Sequence, residues 1–127
     1  TACNKASAQF INSTSVIQFL YVENNTNSTF QIKYISAKTI SKKRGFSIPK
    51  KMWVKNPLAL VKKDDVDIII ELIGGSEGVA KKLVFAALKN NKHVITANKA
   101  LIFKHGNELA KIAEKNAVEY YDYFGRG

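Results

Sequence analysis

The alternation of apolar and polar positions along the chain predicts a series of strands. Residues 30–37 (FQIKYISA) alternate apolar with polar side chains, which is typical of a strand with one exposed face. Residues 66–73 (VDIIIELI) form a nearly continuous β-branched run bounded by Gly74 and Gly75, as expected of a strand that is covered on both faces. Further strands are predicted at 93–96 (HVIT) and 118–124.

Helical patterns lie between these strands. After Ser76 and Glu77, apolar residues recur every four positions on one side of the segment and lysines occupy the other side. Residues 101–116 form a further amphipathic segment, and residues 56–63 begin with an asparagine N-cap and a proline at the first helical position. Strands and helices in alternation, with connections of this length, predict an α/β fold with a parallel sheet and flanking helices.

Length and composition allow one globular unit. The chain has 127 residues, 46% of them hydrophobic, with one cysteine and two histidines. A single cysteine forms no internal disulfide, and the cysteine and histidines are too few for a structural zinc site, so we expect no metal. No apolar run is long enough to cross a membrane and no secretory leader is visible, so we expect a cytoplasmic protein.

The charge of +10 and the pI of about 9.7 raise nucleic acid as a partner. All but two of the 20 basic residues are lysines, however, and they lie in short pairs spread over several predicted elements. Arginine, whose planar fork suits phosphates and base edges, is nearly absent. We expect a solvated basic surface without specific nucleic-acid binding. A small basic interaction or nucleic-acid-binding module is the alternative function.

Two segments follow predicted strands and could carry chemistry. Ligands of parallel sheets bind at the carboxyl ends of the strands, where turns and helix N-termini present backbone groups. Residues 73–76 (IGGS) let the chain turn sharply, although a plain tight turn would look the same. Residues 96–99 (TANK) bring a hydroxyl, an amide and an ammonium together, although an N-capped helix start with a solvated lysine fits the same letters.

The two segments belong to longer motifs that resemble homoserine dehydrogenases. Residues 66–75 read VDIIIELIGG, residues 92–101 read KHVITANKAL and residues 105–110 read HGNELA, at spacings that also match that family. The stretches IKYISA (32–37) and WVKNP (53–57) look like the strand and loop that precede them. The resemblance covers about two thirds of the chain, from about Phe30 to Asn116.

The resemblance implies a Rossmann-like domain that binds NADP or NAD for the interconversion of homoserine and aspartate semialdehyde. It implies that Lys99 reaches the cofactor and the reacting oxygen, with Thr96 and the turn at Ile73 and Gly74 near the nicotinamide. Where the family often has an arginine against the adenosine ribose phosphate, this chain has Lys38, which can still favour NADP.

The N-terminal part departs from the family. No glycine precedes Gly45, whereas the family begins with a strand and a GxGxxG turn that holds the pyrophosphate. We therefore divide the chain into a divergent segment, residues 1–29, and a partial, incomplete Rossmann-like domain, residues 30–127, whose sheet lacks its first strand. The substrate-binding part of the family is also missing, so we assign no catalytic residue. We expect no dehydrogenase turnover from this chain alone and interpret it as a fragment or remnant. The expected partner is a second copy of the chain, bound at the exposed edge of the sheet, or a separate chain that supplies the catalytic half.

Overall fold

The strands form one parallel sheet. The computed structural model describes residues 5–10, 30–37 and 48–122, and within them five strands pair in the order β2-β1-β3-β4-β5. The strands are β1 (Lys5–Phe10), β2 (Phe30–Ser36), β3 (Ile68–Glu71), β4 (His93–Thr96) and β5 (Tyr120–Asp122). The helices of these residues are α1 (Val79–Lys89) and α2 (Lys99–Lys115), with 3-10 helices at Lys50–Met52 and Pro57–Lys62. This is the α/β architecture that the alternation of patterns predicts.

Strand β1 is an interior strand of the sheet, between β2 and β3, so the prediction that the sheet lacks its first strand is wrong. Lys5–Phe10 pairs with β2 on one side and with β3 on the other. Its sequence, KASAQF, contains no β-branched residue, and pairing with two neighbours overrides this weak local preference. The domain boundary between residues 29 and 30 remains a prediction, because residues 11–29 lie outside the described part.

The later elements lie where the sequence pattern places them. Strand β3 is shorter than the apolar run that predicts it, because the chain leaves the sheet after Glu71 and turns back toward that side chain. The segment after Asn56 is a 3-10 helix whose first turn is capped by the Asn56 side chain, which accepts from the Leu58 N–H at 3.0 Å. Residues 123–124, the end of the last predicted strand, lie outside the described residues.

Helix α1 supplies much of the core. It packs against β3, β4 and α2, and α2 packs against β5. Leu83, Val84 and Leu88 of α1 are fully buried, and burial of each such side chain stabilises the fold by roughly 1.5–3 kcal/mol. The other fully buried apolar side chains of this cluster are Leu60, Ile69, Ala87, Val94, Leu101 and Leu109. A closely packed core therefore supports the turns that join strands to helices.

All the strands end at one edge of the sheet. Ser36 of β2 is level with Phe10, Phe10 with Glu71, Glu71 with Thr96, and Thr96 with Asp122. We call this line the carboxyl edge. Strand β2 lies on one side of β1, and β3, the next strand along the chain, lies on the other side of β1. The direction in which strands are added to the sheet therefore reverses between β1 and β3. Ligands of open parallel sheets bind outside the carboxyl ends of the strands at such a reversal.

Candidate functional site

A buried carboxylate organises the turn after β3. The Glu71 side chain has 0% exposure, and its Oε2 accepts hydrogen bonds from the N–H of Ile73 at 2.7 Å and of Gly74 at 3.1 Å. The turn therefore curls back over the end of its own strand. Because these two N–H groups donate inward, a ligand at this turn has to be bound by other groups.

The turn after β4 is built on two polar side chains. Thr96 is fully buried, and its hydroxyl donates to Glu71 Oε1 at 2.6 Å while it accepts from the N–H of Asn98 at 3.0 Å. Asn98 caps α2, because its Oδ1 accepts from the Leu101 N–H at 3.1 Å. Its amide nitrogen donates to the carbonyl oxygen of Gly75 at 2.6 Å. The two turns are thus joined by the Thr96–Glu71 and Asn98–Gly75 hydrogen bonds. We call these bonds, together with the main chain of residues 73–75, the edge network.

The glycines of the first turn are required by the backbone. Gly74 and Gly75 have φ angles of +93° and +83°, which other residues adopt only with strain. A Cβ at Gly74 would meet no atom within 4 Å, so crowding is not the reason for glycine there. The conformation that lets Glu71 bind two successive N–H groups is what excludes larger residues.

Lys99 is the first residue of α2 and follows the buried Asn98 directly. Its side chain is exposed at the carboxyl edge, and the first turn of α2 contains no acidic residue. A positive charge at a helix N-terminus opposes the helix dipole, at a cost of about 0.3–1 kcal/mol.

An exposed ionic cluster fixes the rest of the turn to α2. The Glu77 carboxylate lies 2.9 Å from Lys104 Nζ, 3.1 Å from His105 Nε2 and 3.3 Å from Lys81 Nζ. Hydrogen bonds from Lys104 and then from His105 hold the pKa of the Glu77 carboxyl down to about 2. The His105 ring also packs edge-on against Phe85 of α1, with ring centroids 6.0 Å apart. The loop between β3 and α1 is thus tied to α2 at its outer end as well.

The structure brings together four of the five residues singled out from the sequence. Ile73, Gly74, Thr96 and Lys99 all lie at the carboxyl edge, on the turns after β3 and β4. The capped helix start is present as well, since Asn98 is the N-cap of α2. Lys38 lies outside the described residues.

Sequence reasoning missed the parts that Glu71 and Asn98 play. The signal for Glu71 was a single carboxylate at the end of an otherwise apolar strand. The TANK motif predicts a capped helix start, which covers one role of Asn98. Its hydrogen bond to Gly75, 23 residues away in sequence, has no local signature.

Several lysines are bound within the fold. The Lys92 ammonium donates to the carbonyl oxygens of Lys63 and Val66 at 2.7 and 2.6 Å, and Lys62 donates to the Asn90 side chain at 3.3 Å. Lys63 lies 4.6 Å from the centre of the Tyr34 ring. Some of the lysines that make the chain basic therefore stabilise the fold.

The described residues contain neither a candidate membrane span nor a candidate metal-binding cluster. None of their helices has both the length and the apolar character of a membrane span. None of their His, Cys, Asp and Glu side chains form a group of three or more that could hold a metal ion.

Comparison with known proteins identifies the family. The family described as homoserine dehydrogenase, NAD binding domain, matches residues 14–122. The homoserine dehydrogenase of Corynebacterium glutamicum is 42% identical over 91 residues, which are 72% of this chain and 20% of that protein. That of Neisseria gonorrhoeae is 47% identical over 70 residues, which are 55% of this chain and 16% of that protein.

A solved structure gives the same result. The homoserine dehydrogenase of S. aureus superposes with a TM-score of 0.77 at 29% identity, over 95% of this chain and 33% of that one. This chain spans a fifth or less of the length of the two curated relatives above. The match over residues 14–122 and the shared fold show that the chain belongs to the homoserine dehydrogenase family, within its NAD-binding domain.

Proposed function

We propose that this chain binds a nicotinamide cofactor, NADP or NAD, at the carboxyl edge for hydride transfer between homoserine and aspartate semialdehyde. The observation that carries the proposal is the edge network, which joins the turns after β3 and β4 into one surface beside Lys99. The network lies at the end of the sheet where ligands of this fold class bind.

Each predicted residue has a distinct part in this proposal. Gly74, with its exposed backbone, lets the nicotinamide end approach the turn closely, and Ile73 offers an apolar side chain beside it. Thr96 is buried, so it acts by holding Glu71 and Asn98 in place. The cofactor accepts or supplies the hydride, and the Lys99 ammonium stabilises the negative charge on the reacting oxygen.

The direct test is cofactor binding. NADPH and NADH are titrated into the purified chain and binding is followed by fluorescence or calorimetry, with Lys99→Ala in parallel. The matched control is Lys111→Ala, which removes an exposed lysine from the same helix away from the carboxyl edge. We expect micromolar binding that Lys99→Ala weakens at least about tenfold and Lys111→Ala leaves unchanged. No binding at millimolar cofactor, or equal losses in both variants, would contradict the proposal.

Lys38 is the proposed determinant of NADP over NAD. It follows β2, where the family binds the adenosine ribose, and an ammonium there attracts the additional phosphate of NADP. We expect Lys38→Ala to weaken NADPH binding and to leave NADH binding unchanged. Equal effects on the two cofactors would reject this role.

We propose that residues outside these 127 complete the reaction, either on the same polypeptide or on a separate chain. Homodimer formation is part of the same proposal. We also propose that the protein works in the cytoplasm. Hydride transfer from homoserine to NADP by the 127 residues alone, above a Lys99→Ala control, would contradict the need for further residues.

A further inference from the structure

We propose that Glu71 is a positioning residue, whose carboxylate fixes the two cofactor-binding turns relative to each other. The inference rests on the proposed binding of a nicotinamide cofactor at the carboxyl edge. It assigns to Glu71 a role that its place in an apolar strand does not suggest.

The burial of Glu71 requires an explanation. The β3 residues before it are isoleucines, and all the residues of this strand are buried. A buried carboxylate is strongly destabilising unless hydrogen bonds replace its water, and an apolar side chain would fill the same space at lower cost. Glu71 is compensated by three donors, the N–H groups of Ile73 and Gly74 and the hydroxyl of Thr96. Its presence is therefore explained by what it binds.

The two oxygens of Glu71 serve different turns. Oε2 binds the turn after β3, and Oε1 binds the Thr96 hydroxyl at the end of β4. Because one rigid, planar group makes both contacts, the separation of the turns is set by the carboxylate itself. The Asn98–Gly75 hydrogen bond then joins the same turns at a second point.

Glu71 also fixes the direction of the hydrogen bonds. A carboxylate accepts only, so the Thr96 hydroxyl donates to it and offers its lone pair to the Asn98 N–H. The chain of donors runs from Asn98 through Thr96 to Glu71. The backbone that precedes Lys99 is thereby placed by the same carboxylate that shapes the glycine turn.

Glu71→Gln is the variant that separates these roles. Glutamine has nearly the same shape but only one acceptor oxygen. If that oxygen stays on the two backbone N–H groups, the NH2 group donates to Thr96 Oγ1, where it competes with the Asn98 N–H, and the Thr96 hydroxyl loses its acceptor. If the oxygen faces Thr96 instead, the two backbone N–H groups lose theirs. Thr96→Val removes the hydroxyl from the other side of the contact, and Thr96→Ser retains it. The exposed Glu114→Gln of α2 controls for the change of charge, and Val84→Ala in the core controls for lost stability.

Three quantities are measured for each variant: the Kd for NADPH, the Tm, and the hydrogen exchange of the Ile73, Gly74 and Asn98 amides. We expect Glu71→Gln and Thr96→Val to weaken NADPH binding about tenfold and to accelerate exchange of these amides by a similar factor. Thr96→Ser should recover most of the affinity that Thr96→Val loses, and Glu114→Gln should keep the affinity of the original chain. Val84→Ala should lower the Tm without changing the affinity of the folded fraction.

The results distinguish this inference from the proposed function. If the unmodified chain binds no NADPH, the proposed function fails, and amide exchange alone then decides the role of Glu71. Unchanged exchange in Glu71→Gln would overturn the inference, and accelerated exchange would support it. If the unmodified chain does bind, an unchanged Kd in Glu71→Gln would overturn it, as would a loss that Val84→Ala reproduces at equal Tm.

Discussion

Replacement of Asn98 by alanine should destabilise the fold through two separate contacts. The side chain caps α2 through the Leu101 N–H and joins the turns through Gly75. Loss of an asparagine N-cap costs about 1 kcal/mol. Loss of the second hydrogen bond adds roughly 0.5–1.5 kcal/mol, since the exposed Gly75 carbonyl can regain water. We expect a total of about 2 kcal/mol, or a fall in Tm of roughly 8 °C for a domain of this size.

Asn98→Ser separates the two contacts. The variant keeps a hydroxyl oxygen that can accept from the Leu101 N–H as an N-cap, but it has no amide group to donate to Gly75. It should therefore lie between the original chain and Asn98→Ala in the free energy of unfolding. Asn56→Ala is the matched control, because Asn56 caps the 3-10 helix at Pro57–Lys62 from an exposed position through the Leu58 N–H. Its loss should cost less than half as much.

The assay is urea unfolding followed by circular dichroism, with a thermal scan of each variant. A change of less than about 0.5 kcal/mol in Asn98→Ala, which is the range of ordinary surface substitutions, would refute the role of both contacts. If Asn98→Ser is as unstable as Asn98→Ala, the cap contributes nothing. Equal losses in Asn98→Ala and Asn56→Ala would show that the bond to Gly75 adds no stability.

Three further predictions concern other parts of the fold. The pKa of Glu77 is lowered from 4.5 to about 2, so its contribution to stability is present above pH 4.5 and is lost as the pH falls through about 2. Glu77→Gln should flatten the pH dependence of Tm in that window, and a Tm curve parallel to that of the original chain would contradict this. Ser36 has a buried hydroxyl without a hydrogen-bond partner in the described structure, so Ser36→Ala should raise stability by up to about 1 kcal/mol, whereas a lower Tm would reveal a partner. Ala117 has a φ of +53°, so Ala117→Gly should stabilise by about 1 kcal/mol in urea unfolding, while Ala110→Gly within α2 should destabilise by a similar amount.

The order of strands and helices could be predicted because each pattern is local. The apolar run that forms β3 and the four-residue recurrence that forms α1 reflect burial of a face, which any chain of that pattern requires. Strand β1 could not be predicted in the same way. Its strand character comes from hydrogen bonds to β2 and β3, and neither neighbour is encoded in the letters KASAQF.

The site could be predicted in position but not in its internal contacts. Residues that follow parallel strands meet at one edge, so the sequence suffices to place Gly74 and Thr96 near each other. Whether Glu71 faces Thr96 depends on the register between β3 and β4. A shift of one residue would turn the carboxylate to the opposite face of the sheet and leave both turns without their common acceptor.

Three local preferences are broken along this edge, where we propose the cofactor site. Glu71 is a charged residue in a buried strand, and Gly74 and Gly75 are glycines in an ordered turn, where fixing them costs conformational entropy. Lys99 places a positive charge at the N-terminus of its helix, against the helix dipole. The hydrogen bonds of Glu71 and Asn98 join these segments, so the three departures lie in one connected part of the edge. Departures from local preference concentrate where function offsets their cost. The coincidence of these departures at one edge therefore supports a ligand site there more strongly than any one of the residues does.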